Sequence, residues 1–154
     1  MLAFKDATYT QSEGTMVSQL FLKYLLSAGY NVIEREELDA LLKERNLTLS
    51  NTLDPETVKV FKLSGIDAIV TGTITQAVPE RDFYENGNPR FIAAQVGITC
   101  RMISVETGEI LWAGADTYDG MNEQTAFDYL VGTMVHQLVT SINNSITNQQ
   151  KLAK

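Results

Sequence analysis

The residues that most often carry chemistry are few in this sequence and lie far apart. His136 is the only histidine and Cys100 the only cysteine of the 154 residues. A protein metal site needs several such ligands at close spacing, and a nucleophile needs a base beside it. We therefore interpret His136 as a packing or surface residue of a helix and Cys100 as a small buried hydrophobe of a strand. We expect no metal and no cofactor.

One pair of carboxylates suggests a possible site. Asp116 and Asp119 flank Tyr118 at the end of a predicted strand, and paired carboxylates can hold a cation or divide the roles of acid and base. An enzyme with an acidic site near Asp116 and Asp119 therefore stays open as an alternative. The sequence contains neither the G-x-G-x-x-G nor the G-K-[ST] pattern of phosphate-binding loops.

Composition excludes several classes of function. Twelve basic residues stand against nineteen acidic residues, for a net charge of −7. This balance argues against a nucleic-acid binder and against a polybasic module that binds membrane surfaces. A single cysteine cannot form a disulfide framework within the chain. No apolar run reaches the roughly 20 residues that a membrane-spanning helix needs.

Hydrophobic periodicity predicts four helices and five strands in the order β-α-β-α-α-β-β-β-α. Helical spacing covers residues 14–28, 35–45, 54–64 and 125–146. Strand patterns cover residues 2–4, 30–34, 67–76, 91–105 and 110–118, with a loop over residues 77–90. We predict an α/β (α+β) fold, with a mixed sheet of about 4–5 strands and helices packed on it. Residues 1–146 would form a single domain and residues 147–154 a frayed tail.

Three segments carry a family signature: residues 32–44 (VIEREELDALLKE), 65–74 (GIDAIVTGTI) and 101–111 (RMISVETGEIL). In this order they resemble the CsgG family, the curli production and transport component. The wider group includes LpoB-like activators of penicillin-binding proteins and FlgO-like flagellar proteins. The resemblance implies a periplasm-facing lipoprotein without catalytic activity, anchored to the outer membrane through an N-terminal lipid. We accordingly expect the natural gene to encode an export signal and a lipidated cysteine ahead of Met1.

The channel member of this family forms a ring and threads membrane hairpins from this domain. The resemblance would place such hairpins at residues 77–90 and after Trp112. Residues 79–90, however, hold five charged residues and two prolines, whereas a spanning strand needs about 9–11 residues with alternating apolar character. The second position, residues 116–123, is short and acidic. We therefore expect no transmembrane segment in this chain.

These observations predict a non-enzymatic module for cell-envelope assembly or regulation that binds protein partners and can self-associate. The candidate contact is the 79–90 loop, where Phe83 and Tyr84 lie beside Arg81, a composition typical of interface anchors. The alternative for this loop is that one ring folds back onto the sheet edge. Glu34 and Arg35, within the first signature segment, are further candidates for partner binding. A soluble small-molecule or nucleotide sensor is the alternative function from another class.

Overall fold

A computed structural model describes residues 2–5, 11–45, 47 and 54–152, which together form four helices and six strands. No helix in these ranges is both long enough and apolar enough to cross a membrane. The elements follow the chain as β1 (Leu2–Lys5), α1 (Gln11–Ser27), α2 (Arg35–Glu44), α3 (Pro55–Leu63), β2 (Ala68–Val78), β3 (Arg81–Glu85), β4 (Asn88–Ile92), β5 (Ala94–Ser104), β6 (Ile110–Gly120) and α4 (Glu123–Leu152).

Four strands form one mixed sheet in the order β1-β2-β5-β6. β1 runs parallel to β2, with Leu2 beside Val70. The β2–β5 and β5–β6 pairs are antiparallel. β3 and β4 pair with each other as a separate two-stranded sheet. The predicted fold class, a mixed sheet with helices packed on it, is confirmed.

Helices α1 and α4 cover one face of the four-stranded sheet. Strand side chains alternate between the two faces, and the apolar set of β2 and β5 points toward these helices. Phe21 of α1 and Phe127 of α4 are completely buried between the helices and the sheet. We call this buried set the main cluster, and its largest members are Val17, Phe21, Leu25, Val70, Ile74, Val96, Ile98, Phe127, Leu130, Met134 and Leu138.

Helices α2 and α3 form a second cluster at one end of the sheet. Leu38 and Leu42 of α2 and Phe61 of α3 pack with Ile69 at the start of β2 and with Val105 after β5. β2 runs from this cluster toward the β3–β4 hairpin. The second cluster and the hairpin therefore lie at opposite ends of the sheet, roughly 30 Å apart at 3.3 Å per strand residue.

The predicted strand at residues 30–34 is wrong, because this segment belongs to neither sheet. Its apolar side chains find another use. Val32 packs against the main cluster, and the adjacent Ile33 packs against the second cluster. An extended connector between two cores has the same β-branched sequence as a strand, because successive side chains point in opposite directions in both.

The predicted loop over residues 77–90 is also wrong. β2 continues to Val78, and residues 81–92 form the β3–β4 hairpin. The turn residues Asn86 and Gly87 have φ values of 52° and 78°, as the type I′ turn of a two-residue hairpin requires. Pro89 is compatible with this pairing, because each strand of a two-stranded sheet has a free edge on which the missing N–H costs little.

Helix α4 continues past its predicted end at residue 146 to Leu152. The prediction stopped at the last apolar residue, Ile146, but helix propagation depends on backbone bonds rather than on apolar side chains. Thr147 also donates its Oγ1 hydrogen to the carbonyl of Asn143 at 2.9 Å. The division into a domain over residues 1–146 and a frayed tail over residues 147–154 stays a prediction, and residues 153–154 lie outside the described ranges.

Candidate functional site

The β3–β4 hairpin carries three of the five residues predicted to bind a partner: Arg81, Phe83 and Tyr84. Neighbouring residues of a strand point to opposite faces, so Phe83 and Tyr84 lie on opposite faces of the hairpin. The Phe83 side chain is 39% exposed and the Tyr84 side chain is 77% exposed. Neither ring belongs to the main or the second cluster. Each face of the hairpin therefore presents an accessible aromatic ring.

The Phe83 face combines its ring with basic groups. Phe83 lies directly opposite Arg90, and the Nε of Arg90 donates to Oε2 of Glu85 at 3.1 Å. Arg81 lies two residues before Phe83 on the same face. All four side chains are exposed, so this ion pair is weak in free energy and serves mainly to orient Arg90.

The Tyr84 face is more apolar and carries one acid. Tyr84 lies opposite Pro89, and Asp82 lies opposite Phe91, whose side chain is 48% exposed. The sequence interpretation missed Phe91 because it assigned this residue to the start of a core strand. The signal that could have found it is the Asn86-Gly87 dipeptide, which is the strongest short-range indication of a hairpin.

The base of the hairpin is fixed to the rest of the fold. Oε2 of Glu80 accepts the backbone N–H of Glu123 at 3.1 Å, in the first turn of α4. A carboxylate at this position also complements the helix dipole. Nearby, Nε2 of Gln76 donates to Oε1 of Gln95 at 3.0 Å, across the ends of the central strands β2 and β5. The hairpin thus rises from a rigid support, which is typical of functional loops.

Three carboxylates from different elements meet at this base. Burial, together with the charge and hydrogen bond of Glu13 and the charge of Glu80, raises the pKa of Glu123 above its usual value. Among the described residues, Oε2 of Glu13 and Oε1 of Glu123 are buried without a hydrogen-bond partner. The junction of α1, α4 and the hairpin is therefore less favourable when these carboxylates are ionised.

The other two predicted residues, Glu34 and Arg35, lie at the start of α2. Glu34 is the exposed N-cap residue of that helix and makes no side-chain capping bond. The side chain of Arg35 lies outside the described part of the structure. α2 belongs to the second cluster, at the far end of the sheet from the hairpin. The structure therefore does not bring these two residues together with Arg81, Phe83 and Tyr84.

The residues considered for catalysis do not form a centre. Asp116 and Asp119 both lie on β6, three residues apart, so they point to opposite sides of the strand. His136 is exposed on α4. Cys100 is buried, and burial raises the pKa of its thiol to about 12. Within the described ranges, no group of three or more His, Cys, Asp or Glu side chains is arranged to hold a metal ion.

A cavity of about 1010 Å³ lies at the end of the sheet opposite the hairpin. Its apolar wall includes Val32, Met102 and Ile142, and its polar rim includes Lys62 and Glu106. Cavities of this size and composition commonly hold small molecules. The cavity lies outside the segments that the sequence interpretation connected with binding.

A family model described as "Curli production assembly/transport component CsgG" matches residues 2–79. This match covers β1, α1, α2, α3 and β2, and it ends just before the hairpin begins. No curated protein is similar enough in sequence to match the chain.

Solved structures share the fold over most of the chain. The lipoprotein GNA1162 from Neisseria meningitidis is 20% identical, with 93% of this chain and 94% of that chain covered and a TM-score of 0.53. The PelC dodecamer from Paraburkholderia phytofirmans is 14% identical, with 86% of this chain and 80% of that chain covered and a TM-score of 0.57. At these identities the likeness concerns the fold alone.

Proposed function

Because the chain belongs to the CsgG family of curli production assembly/transport components, we propose that it acts in the cell envelope as a non-enzymatic assembly or regulatory module. It faces the periplasm and is held at the outer membrane through an N-terminal lipid. Family membership and the fold shared with a neisserial lipoprotein support this location. A PelC protein of the same fold is a dodecamer, which supports the further proposal that this chain self-associates.

The observation that carries the proposal is the exposed β3–β4 hairpin. It presents Phe83 on one face and Tyr84 on the other, and neither ring contributes to a buried cluster. Aromatic and arginine side chains in a small exposed element are the usual anchors of protein interfaces. The fixed base at Glu80 lets a partner bind without first ordering the element.

Photo-cross-linking in bacteria that produce the protein tests the partner contact. A photoreactive residue at Tyr84 should give one discrete protein adduct, and the same residue at Leu63 should give none. Leu63 is a matched control because its side chain is 72% exposed and lies at the far end of the sheet, after α3.

The affinity of the captured protein then measures the contribution of the two rings. The double variant Phe83→Ser, Tyr84→Ser should weaken binding roughly 30-fold, which corresponds to a hot-spot loss of about 2 kcal/mol. The melting temperature should barely move, because both rings are exposed. A large drop in melting temperature with unchanged binding would show that the rings stabilise the fold and that the interface lies elsewhere.

Fractionation of the natural host tests the location. The product of the full-length gene should appear in the outer-membrane fraction and should become labelled by a radioactive fatty acid. Recovery of the product in the cytosol, without such a label, would contradict the envelope role.

The cavity at the opposite end favours a second candidate function, the binding of a small amphipathic molecule. Its lining combines apolar side chains with a few polar groups, and the sequence holds no phosphate-binding loop, so a nucleotide fits it poorly. Anilinonaphthalene sulfonate should bind with enhanced fluorescence, and Met102→Trp should reduce this signal by filling the cavity. Equal fluorescence from both proteins would argue against this site.

A further inference from the structure

The two outer strands of the four-stranded sheet differ greatly in length. β1 has four residues, whereas β6 has eleven. β6 pairs with β5 on one side only, and within the described ranges no strand pairs with its other side. An unpaired edge strand presents a row of backbone N–H and C=O groups that can pair with another chain.

β6 lacks most of the features that block such pairing. It contains no lysine, arginine or proline, which are the usual protective residues of an edge. On the face away from the helices, Ala113, Ala115 and Thr117 are small and exposed. Its start adds Ile110 and Leu111, which are 58% and 49% exposed. Small side chains and apolar ends let a second strand approach along the whole edge.

We propose that β6 pairs in an antiparallel manner with β6 of a second copy of this chain, with Ala115 on the twofold axis. The two four-stranded sheets then continue as one sheet of eight strands. In this register Gly114 lies opposite Asp116 of the second copy, and Trp112 lies opposite Tyr118 of the second copy. Aromatic cross-strand pairs stabilise antiparallel sheets.

The charge pattern selects both the occupant and the register. The acidic residues of β6 are Asp116 and Asp119. With Ala115 on the axis, Asp116 faces a glycine and Asp119 faces Leu111, so no acid lies opposite another. A shift of the axis by one residue would place Asp116 against itself, which destabilises an antiparallel pair. The full eleven-residue overlap and the absence of facing acids favour a second copy as the partner.

This inference deepens the self-association part of the proposed function and rests on it, but it does not involve the hairpin. The test leaves Phe83 and Tyr84 unchanged. Failure of the β6 contact would therefore leave the proposed partner contact of the hairpin untouched, and failure of the hairpin contact would leave the β6 contact untouched.

Cysteine cross-linking tests the register directly. Directly opposed residues of an antiparallel pair have Cα atoms about 4.5–5.5 Å apart, within disulfide range. Ala115→Cys should therefore form an intermolecular disulfide under mild oxidation. Ala113→Cys is the matched control, because its copies would lie about 13 Å apart along the strands. The native Cys100 is buried and should not interfere.

A mixture of Ala113→Cys and Thr117→Cys completes the test. These positions oppose each other across the proposed axis, so the mixture should cross-link although Ala113→Cys alone does not. In sedimentation, the parent chain should form a dimer at high concentration, and Ala115→Lys should weaken that dimer at least tenfold. The proposal is overturned if Ala113→Cys links as readily as Ala115→Cys, or if the parent stays monomeric and Ala115→Cys does not link.

Discussion

Replacing Gly87 by alanine should open the β3–β4 hairpin while the rest of the fold stays intact. Gly87 is the second turn residue and has a φ of 78°. A Cβ atom at this position would meet no heavy atom within 4 Å, so the substitution creates no clash. The cost is therefore the strain of an L-residue in the left-handed region, about 1–2 kcal/mol.

This cost is large compared with the stability of the hairpin itself. Every residue of β3 and β4 is exposed except Ile92, which is half-buried. An isolated two-stranded hairpin is only marginally stable in water. A penalty of about 1–2 kcal/mol lowers the ratio of closed to open hairpin roughly 5- to 30-fold. The two central strands should not respond, because their core contacts do not involve the turn.

Gly108→Ala is a matched control within the same chain. Gly108 has a φ of 74°, and a Cβ atom there also meets nothing within 4 Å. It lies in the turn between β5 and β6, and β5 carries buried residues of the main cluster. The same strain should therefore act on the whole fold and lower the melting temperature by about 2–8 °C, the shift expected of a domain this size for 1–2 kcal/mol.

Amide hydrogen exchange and thermal unfolding separate the two variants. Gly87→Ala should speed exchange of the hairpin amides alone, with an unchanged melting temperature, and Gly108→Ala should lower the melting temperature. Equal losses of melting temperature in both variants would show that the hairpin belongs to the cooperative core. Unchanged hairpin exchange in Gly87→Ala would show that the turn does not need its left-handed residue.

Three further predictions follow from the junction, the sheet and the buried thiol. Because the fold raises the pKa of Glu123 above its usual 4.5, the folded state holds its proton longer and loses stability as pH rises through that window. Glu123→Gln should therefore raise the melting temperature near pH 7, by the roughly 0.2–0.5 kcal/mol of a partly exposed like-charge pair, and a larger gain near pH 4 would contradict the assignment. In Gly120→Ala the new Cβ would lie 2.8 Å from Cβ of Ala126, so thermal unfolding should show a loss of about 1–3 kcal/mol; an unchanged melting temperature would argue against this close approach. Cys100, with a thiol pKa of about 12, should resist iodoacetamide at neutral pH until the protein is unfolded, and rapid labelling of the native protein would contradict its burial.

The helices were predictable because each carries its own local signal. α3 is an example: Asp54 and Pro55 mark its start, and Oδ1 of Asp54 accepts the N–H of Thr57 at 2.9 Å. Residues 30–34 were not predictable in this way. Val32 and Ile33 point into two different clusters, and local sequence does not distinguish such a connector from a paired strand.

The candidate site was predictable in composition but not in geometry. Adjacent Phe83 and Tyr84 among charged residues marked an exposed binding element, and both rings are exposed. Their placement on opposite faces depends on strand formation, which Asn86-Gly87 encodes and which charges and prolines nearby concealed. The distance of Glu34 from these rings depends on which end of the sheet α2 covers, and this is a property of topology that no local pattern contains.

The position of the hairpin separates the stability of the fold from the choice of partner. The family match ends at residue 79, after β2, so the scaffold falls within the shared part and the hairpin falls outside it. The hairpin joins the two central strands, β2 and β5, whose pairing across ten register positions fixes its base. Because its own residues bury almost nothing, they can change without loss of core contacts. Substitutions in the hairpin should therefore alter which protein binds, whereas substitutions in β2 and β5 should alter whether the chain folds.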